Sequence, residues 1–227
     1  MKKKGDIIEL VKKYILLIIG LTIMAFGVAF SIKANIGTTP IFSVPYVISL
    51  FSPLTVGNII ILMHCVFIAL QIVILRKDYA PIQLLQLPAA ILFGYLTDFA
   101  IFAIQNIAYT SYIQQWLLCA LGIGLVGIGC SFEVMANVVT LAAEGFVLAI
   151  CKVTQIKFAS MKVLFDISLV VIASILSLCF LGGIEGVREG TLAAAVFVGM
   201  IVREVNKLFR HVQKIRSPEN NEATPAQ

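Results

Sequence analysis

Residues 34–45 read ANIGTTPIFSVP. They follow an apolar run, Tyr14 to Ile32, that is long enough to cross a bilayer, which takes about 20 helical residues. A chain leaving the membrane should turn polar. This one makes a small Asn-Ile-Gly-Thr-Thr-Pro break and becomes apolar again from Ile41 to Phe51. Thr39 before Pro40 reads as a helix N-cap followed by proline in the first turn, where its missing N–H costs nothing. The break therefore starts a short helix. The free N–H groups of that first turn would suit an anionic group.

The chain around this break has 227 residues, 60% hydrophobic and 13% charged, with a mean hydropathy of +1.01. Soluble domains carry about 25% charged residues. The charges here lie between long apolar runs, which is the pattern of an integral membrane protein. The start, MKKKGDIIELVKKY, resembles the basic front of a signal peptide. The run behind it exceeds an h-region of about 7–15 residues, and no convincing small-x-small cleavage site follows. It is read as the first membrane helix, retained. Cys65, Cys119, Cys130, Cys151 and Cys179 stand singly in apolar runs without CxxC spacing, so they read as small buried residues.

Six runs reach spanning length: 14–34, 54–75, 81–104, 113–135, 158–181 and 190–209. Ser52-Pro53 and Ala80-Pro81 place proline at the expected starts of the second and third. With both termini inside, fifteen of the 17 Lys and Arg fall at cytoplasmic ends, leaving Lys33 and Arg188 outside. This satisfies the positive-inside rule. The net charge of +5 is then a topology signal, and nucleic acid is not an expected partner. Residues 1–13 form a basic cytoplasmic N-terminus. Residues 210–227 form a polar cytoplasmic tail, with SPENNEATPAQ expected to be disordered.

A shift of 102 positions places Gly20, Gly27, Phe30, Ala34, Asn35 and Thr38 on Gly122, Gly129, Phe132, Ala136, Asn137 and Thr140. A shift of 105 places Leu87, Ala89, Ala90 and Gly94 on Leu192, Ala194, Ala195 and Gly199. The two units, 14–105 and 113–209, hold three spans each. An odd number makes the second unit enter from the opposite face. The expected fold is all-α, six transmembrane helices in a 3+3 inverted-topology repeat, the plan of many secondary transporters. The break at 34–40 pairs with ANVVTLA at 136–142. Each precedes a piece too short to span, 41–51 and 141–151. Both are read as re-entrant half-helices, with interfacial connectors as the alternative.

Ionisable residues inside spans are costly and mark candidate function. Glu144 follows the second break by one turn, and Asp166 sits near mid-membrane in the fifth run. These are the leading candidates for binding a solute or a proton. A carboxyl group away from water keeps its proton to higher pH. His64 lies mid-span and maps onto Asp166. Its bland alternative is a packed histidine bonded to a backbone carbonyl. Asp98 reads equally as functional or as a paired outer residue, and Glu133 reads as a snorkelling interfacial carboxylate. Asn35 and Asn137 sit at the matched breaks, where their amides serve unwound backbone or a polar solute. Thr39 is a further candidate. Arg188 in VREGT reads as an ion pair with Glu185 or Glu189, or else as an outer anion contact.

GIGLVG at 122–127 matches GxGxxG, but it lies within a span and reads as small-residue helix packing. HExxH, GxSxG, P-loop and metal-ligand clusters are absent, so neither enzyme chemistry nor a metal or cofactor is expected.

ANIGTTP after the first span, AAEGFVLAI after the fourth, MKVLFDI in the fifth and REGTLAAAVFVG at the sixth resemble the YczE/YitT-like bacterial membrane proteins. The resemblance implies a multi-pass protein of the bacterial cytoplasmic membrane and a transport role without a defined substrate. It also implies an acidic residue shortly after each break. Glu144 fits this pattern, whereas Phe42 occupies the first-half position and Leu141-Ala142 replaces the second-half proline. The expected function is secondary transport or facilitation of a small polar solute, with proton coupling a further expectation. An accessory or regulatory membrane subunit is the alternative. Homo-oligomerisation stays open.

Overall fold

The computed structural model describes residues 2–216, with side chains over 7–209. Among them are eight α-helices: α1 (Lys2–Ala34), α2 (Pro40–Phe51), α3 (Val56–Leu75), α4 (Gln86–Ala103), α5 (Tyr112–Ala136), α6 (Ala142–Thr154), α7 (Phe158–Leu181) and α8 (Glu189–Arg216). Two 3-10 turns, Arg76–Asp78 and Pro81–Leu85, join α3 to α4.

Five segments are long and apolar enough to cross a membrane: Ile7–Ala34, Val56–Asp78, Pro81–Ala103, Tyr112–Ala136 and Phe158–Leu181. Their outer faces carry Ile15, Val73, Phe102, Leu117 and Ile167, all large, apolar and exposed. In water such a surface would be strongly unfavourable; in lipid it is the matched one. This is the architecture of a multi-pass membrane protein. The helix expected as a sixth span, α8, is not among the five. Its apolar stretch, Thr191–Val202, ends at Arg203 and Glu204, with Lys207 one turn on. That stretch rises about 18 Å, short of a hydrocarbon core of about 30 Å.

α1 and α5 form the most extensive helix pair. They meet through glycines. A Cβ on Gly20 would lie 3.0 Å from the Gly129 carbonyl oxygen, and one on Gly27 would lie 2.6 Å from the Val126 nitrogen. Backbones this close need small residues at the crossing. α4 flanks α1, and α8 flanks α5. Around this axis Leu21, Met24, Val28, Phe42, Ile60, Phe93 and Val126 form one core.

The short helices pack against long helices far away in sequence. α2 lies on α7, and α6 lies on α3. Val44 and Val47 of α2 share a second core with Phe67 of α3, Val147 of α6 and Phe165 of α7. α3 packs along α4, whereas α7 makes no comparable contact with α8.

Several local readings change. Pro53 lies in the turn before α3; that helix starts at Val56, where the Thr55 side chain caps it by accepting from the Asn58 N–H. Pro81 opens a 3-10 turn rather than the α-helix itself. α8 continues through 210–216, so the expected tail begins later, and 217–227 lies outside the described residues. Of the cysteines, all free, Cys119 is buried and Cys179 is exposed.

Candidate functional site

Both breaks are built the same way. α1 ends where Asn35 adopts a left-handed conformation (φ 55°), and α5 ends where Asn137 does (φ 47°). Asparagine tolerates this region better than most residues. Each break then extends into the next short helix. Thr39 stands at the N-cap position with Pro40 in the first turn, as expected, although its side chain makes no capping bond. Leu141 occupies the corresponding place before α6. It cannot cap with its own side chain. Glu133 Oε1 accepts the Leu141 N–H at 2.6 Å instead. Glu133 is 2% exposed, so it is no snorkelling carboxylate. Its cost of burial is offset by this hydrogen bond and by the positive end of α6 beside it.

Between α7 and α8 lies a cavity of about 410 Å³. Thr39 and Phe42 at the start of α2 reach it, as do Thr140, Leu141 and Glu144 at the start of α6. Thus the N-terminal ends of both short helices, each carrying partial positive charge, face one space. Lys162 and Asp166 of α7 line it from a third side, paired at 2.6 Å and one helical turn apart. Glu133 reaches it from α5, and Ala194, Val198 and Gly199 of α8 form an apolar wall. Three carboxyl groups and one ammonium line the space. Among the described residues Glu144 takes part in no ion pair, which leaves it free to meet a ligand.

The sequence candidates separate into two groups. Glu144, Asp166 and Thr39 come together at this cavity. Of the others only Glu133 also lines it. Asn137 lines an adjacent space of about 420 Å³ with Gln86, Thr140 and Lys152, and Glu133 forms part of both walls. Asn35 is exposed, and its carbonyl accepts from the Arg188 guanidinium at 3.1 Å. Arg188 also pairs with Glu189 at 3.4 Å, so it fastens the first break to the start of α8. Asp98 bonds the Thr55 hydroxyl at 2.6 Å and the Gly57 N–H at 2.8 Å, tying α4 to the start of α3. His64 is fully buried near Phe93 and Phe67, and neither ring nitrogen bonds a described protein group. The carbonyl partner expected for a packed histidine is not there. Lys162 is not among the sequence candidates, although its four-residue spacing to Asp166 is the signal of a pair along one helix.

The family of unknown function DUF6198 matches residues 11–207. The chain belongs to this family. It is also similar to the uncharacterized protein YyaS of Bacillus subtilis (strain 168), 32% identical over 117 residues. That match covers 52% of this chain and 56% of the relative, a little over half of each. No solved structure matches.

Proposed function

We propose that the protein is a six-span transporter or facilitator that moves a small polar solute across the bacterial cytoplasmic membrane, with both termini cytoplasmic. The observation that carries this reading is the cavity shared by α2, α6, α7 and α8, where Glu144 and Asp166 face one space next to two helix N-termini. Small-molecule sites are mostly apolar, with a few convergent polar groups. This cavity has that composition. Its excess of carboxyl over ammonium groups favours a solute bearing a cationic group, or a proton carried with a neutral one. The resemblance to YczE/YitT-like proteins points the same way.

The 3+3 inverted repeat is supported by the crossing of α1 and α5. Gly20 and Gly27 map onto Gly122 and Gly129, yet Gly20 meets Gly129, and Gly122 meets Gly27. Repeat mates exchange partners in this way only about a local twofold axis. The swapped packing of α2 on α7 and α6 on α3 obeys the same operation. α8 takes the place of α4, with Arg203 and Lys207 carrying its charged end toward the cytoplasmic interface.

The test is uptake by purified protein in liposomes against a panel of amines, amino acids and neutral polar solutes, with and without a pH gradient. Glu144→Gln and Asp166→Asn should each lower transport at least about tenfold if the carboxylates bind the solute or proton. A solute that raises the unfolding temperature of wild type and both variants equally would remove these carboxylates from the site. Absence of any uptake, together with tight capture by a partner protein, would favour an accessory subunit.

A further inference from the structure

The two halves are not in the same state, and the difference falls on particular residues. In the first half α3 and α4 are closed on each other: a Cβ on Gly94 would lie 2.7 Å from the Gly57 carbonyl oxygen. In the second half Gly199, which maps onto Gly94, has nothing within 4 Å and lines the cavity. Asp98 locks α4 to the start of α3. Its counterpart by the same shift is Arg203, which pairs with Glu204 on its own helix.

The polar side chains follow the same division. Ser31, Thr38 and His64 are buried, and their polar side-chain atoms bond no described protein group. Their mates at a shift of 102 are Glu133, Thr140 and Asp166, and all three line the open cavity. Buried polar atoms without partners are costly, and nearly all find one in a stable fold. Phe42 and Phe93, rings 5.5 Å apart, fill the space that Glu144 and Val198 border in the second half. Thr39 and its mate Leu141 both line the present cavity, which puts the breaks at the shared centre.

We infer that the first half holds a second, closed vestibule between α3 and α4, lined by Ser31, Thr38, Thr97 and His64, that admits the same small polar solute from the opposite face. This inference deepens the transport reading and rests on its inverted repeat. The vestibule opens when α4 parts from α3 at Gly57 and Gly94. In the same step α8 closes on α7 through Gly199, and the cavity that contains Glu144 shuts. Ser31, Thr38 and His64 are then wetted on one side of the cycle and buried on the other. His64 provides the vestibule with an imidazole where the cavity has the Asp166 carboxyl group. A cationic solute is therefore held more tightly from the cavity side.

Single cysteines test this in a background lacking the five native ones, reacted with a membrane-impermeant maleimide in proteoliposomes. Ala195→Cys reports the cavity and Thr97→Cys the vestibule, Thr97 being the mate of cavity-lining Val202. The expected starting state is fast labelling of Ala195→Cys and slow labelling of Thr97→Cys. Adding Gly94→Ala wedges α3 from α4 and should speed Thr97→Cys labelling about tenfold while slowing Ala195→Cys. Gly199→Ala, which meets nothing here but obstructs closure, should do the reverse. Asp98→Asn loosens the same latch without adding bulk and should act like Gly94→Ala, which keeps the test valid if the wedge fails to fold. Reciprocal changes support the vestibule even if no transported solute is found, and in that case only the transport reading falls. Unchanged Thr97→Cys labelling in folded Asp98→Asn, or both probes speeding up together, overturns the vestibule whatever the transport result.

Discussion

α3 with α4 and α7 with α8 are the same pair of helices by sequence shift, yet one pair is closed and the other parted. The closed pair has glycine on both helices, at Gly57 and Gly94, and an aspartate latch at Asp98. The parted pair has Ala159 where Gly57 stands, Gly199 facing open space, and Arg203 in place of the latch. Similar composition therefore gives different packing because a few positions decide how near two backbones can come. The difference also distributes the polar side chains. The parted pair exposes carboxylates; the closed pair hides an imidazole and hydroxyls.

The strongest way to break this comparison is at the α1–α5 crossing. Gly27→Leu drives a side chain into the Val126 backbone and should cost more than about 3 kcal/mol, seen as loss of monodisperse protein in detergent. A Cβ on Gly124 of α5 meets nothing within 4 Å, and Gly124→Leu should leave the elution profile unchanged. Next comes the closed pair itself. Gly57→Ala should lower thermal stability by about 1–3 kcal/mol. Ala159→Gly, at the mate, should cost about 1 kcal/mol, the ordinary price of glycine in a helix.

A third contrast separates Glu133 from Ser31. Glu133→Ala leaves the Leu141 N–H unpaired and should cost about 2 kcal/mol, with Glu133→Gln recovering most of it. Ser31→Ala removes an unpartnered hydroxyl and should be neutral or stabilising by about 1 kcal/mol. Thermal unfolding of the purified variants decides both. The smallest contrast is at the latch. Asp98→Ala removes acceptors for two donors and should cost about 1–2 kcal/mol. Arg203→Ala breaks only an exposed pair and should stay within about 0.5 kcal/mol.

Much of this arrangement could be read along the chain. The long apolar runs locate five helices long and apolar enough to cross a membrane, because spanning length is a local property. The paired breaks were legible because asparagine, threonine and glycine repeat in register. Glu144 and Asp166 stood out because charge is rare in apolar sequence. What was not legible depends on distant partners. Nothing near Glu133 indicates that its carboxylate bonds Leu141 eight residues on, after the chain has turned back. His64 maps onto Asp166 but faces Phe93, because α3 has closed on α4 and α7 has not closed on α8. α8 falls outside the five apolar helices because charge enters it at Arg203 and Glu204, after an apolar stretch that the sequence shows plainly.

The exchange of short helices between halves has a consequence for biosynthesis. α2 is made early, but α7, the helix against which its Val44 and Val47 are buried, is translated more than a hundred residues later. Until then the nascent first half holds this short apolar helix only through α3 and the Phe93 ring of α4. The half-molecules are thus interlocked parts of a single cooperative unit, and the α7-facing side of α2 stays uncovered by protein until the chain is nearly complete.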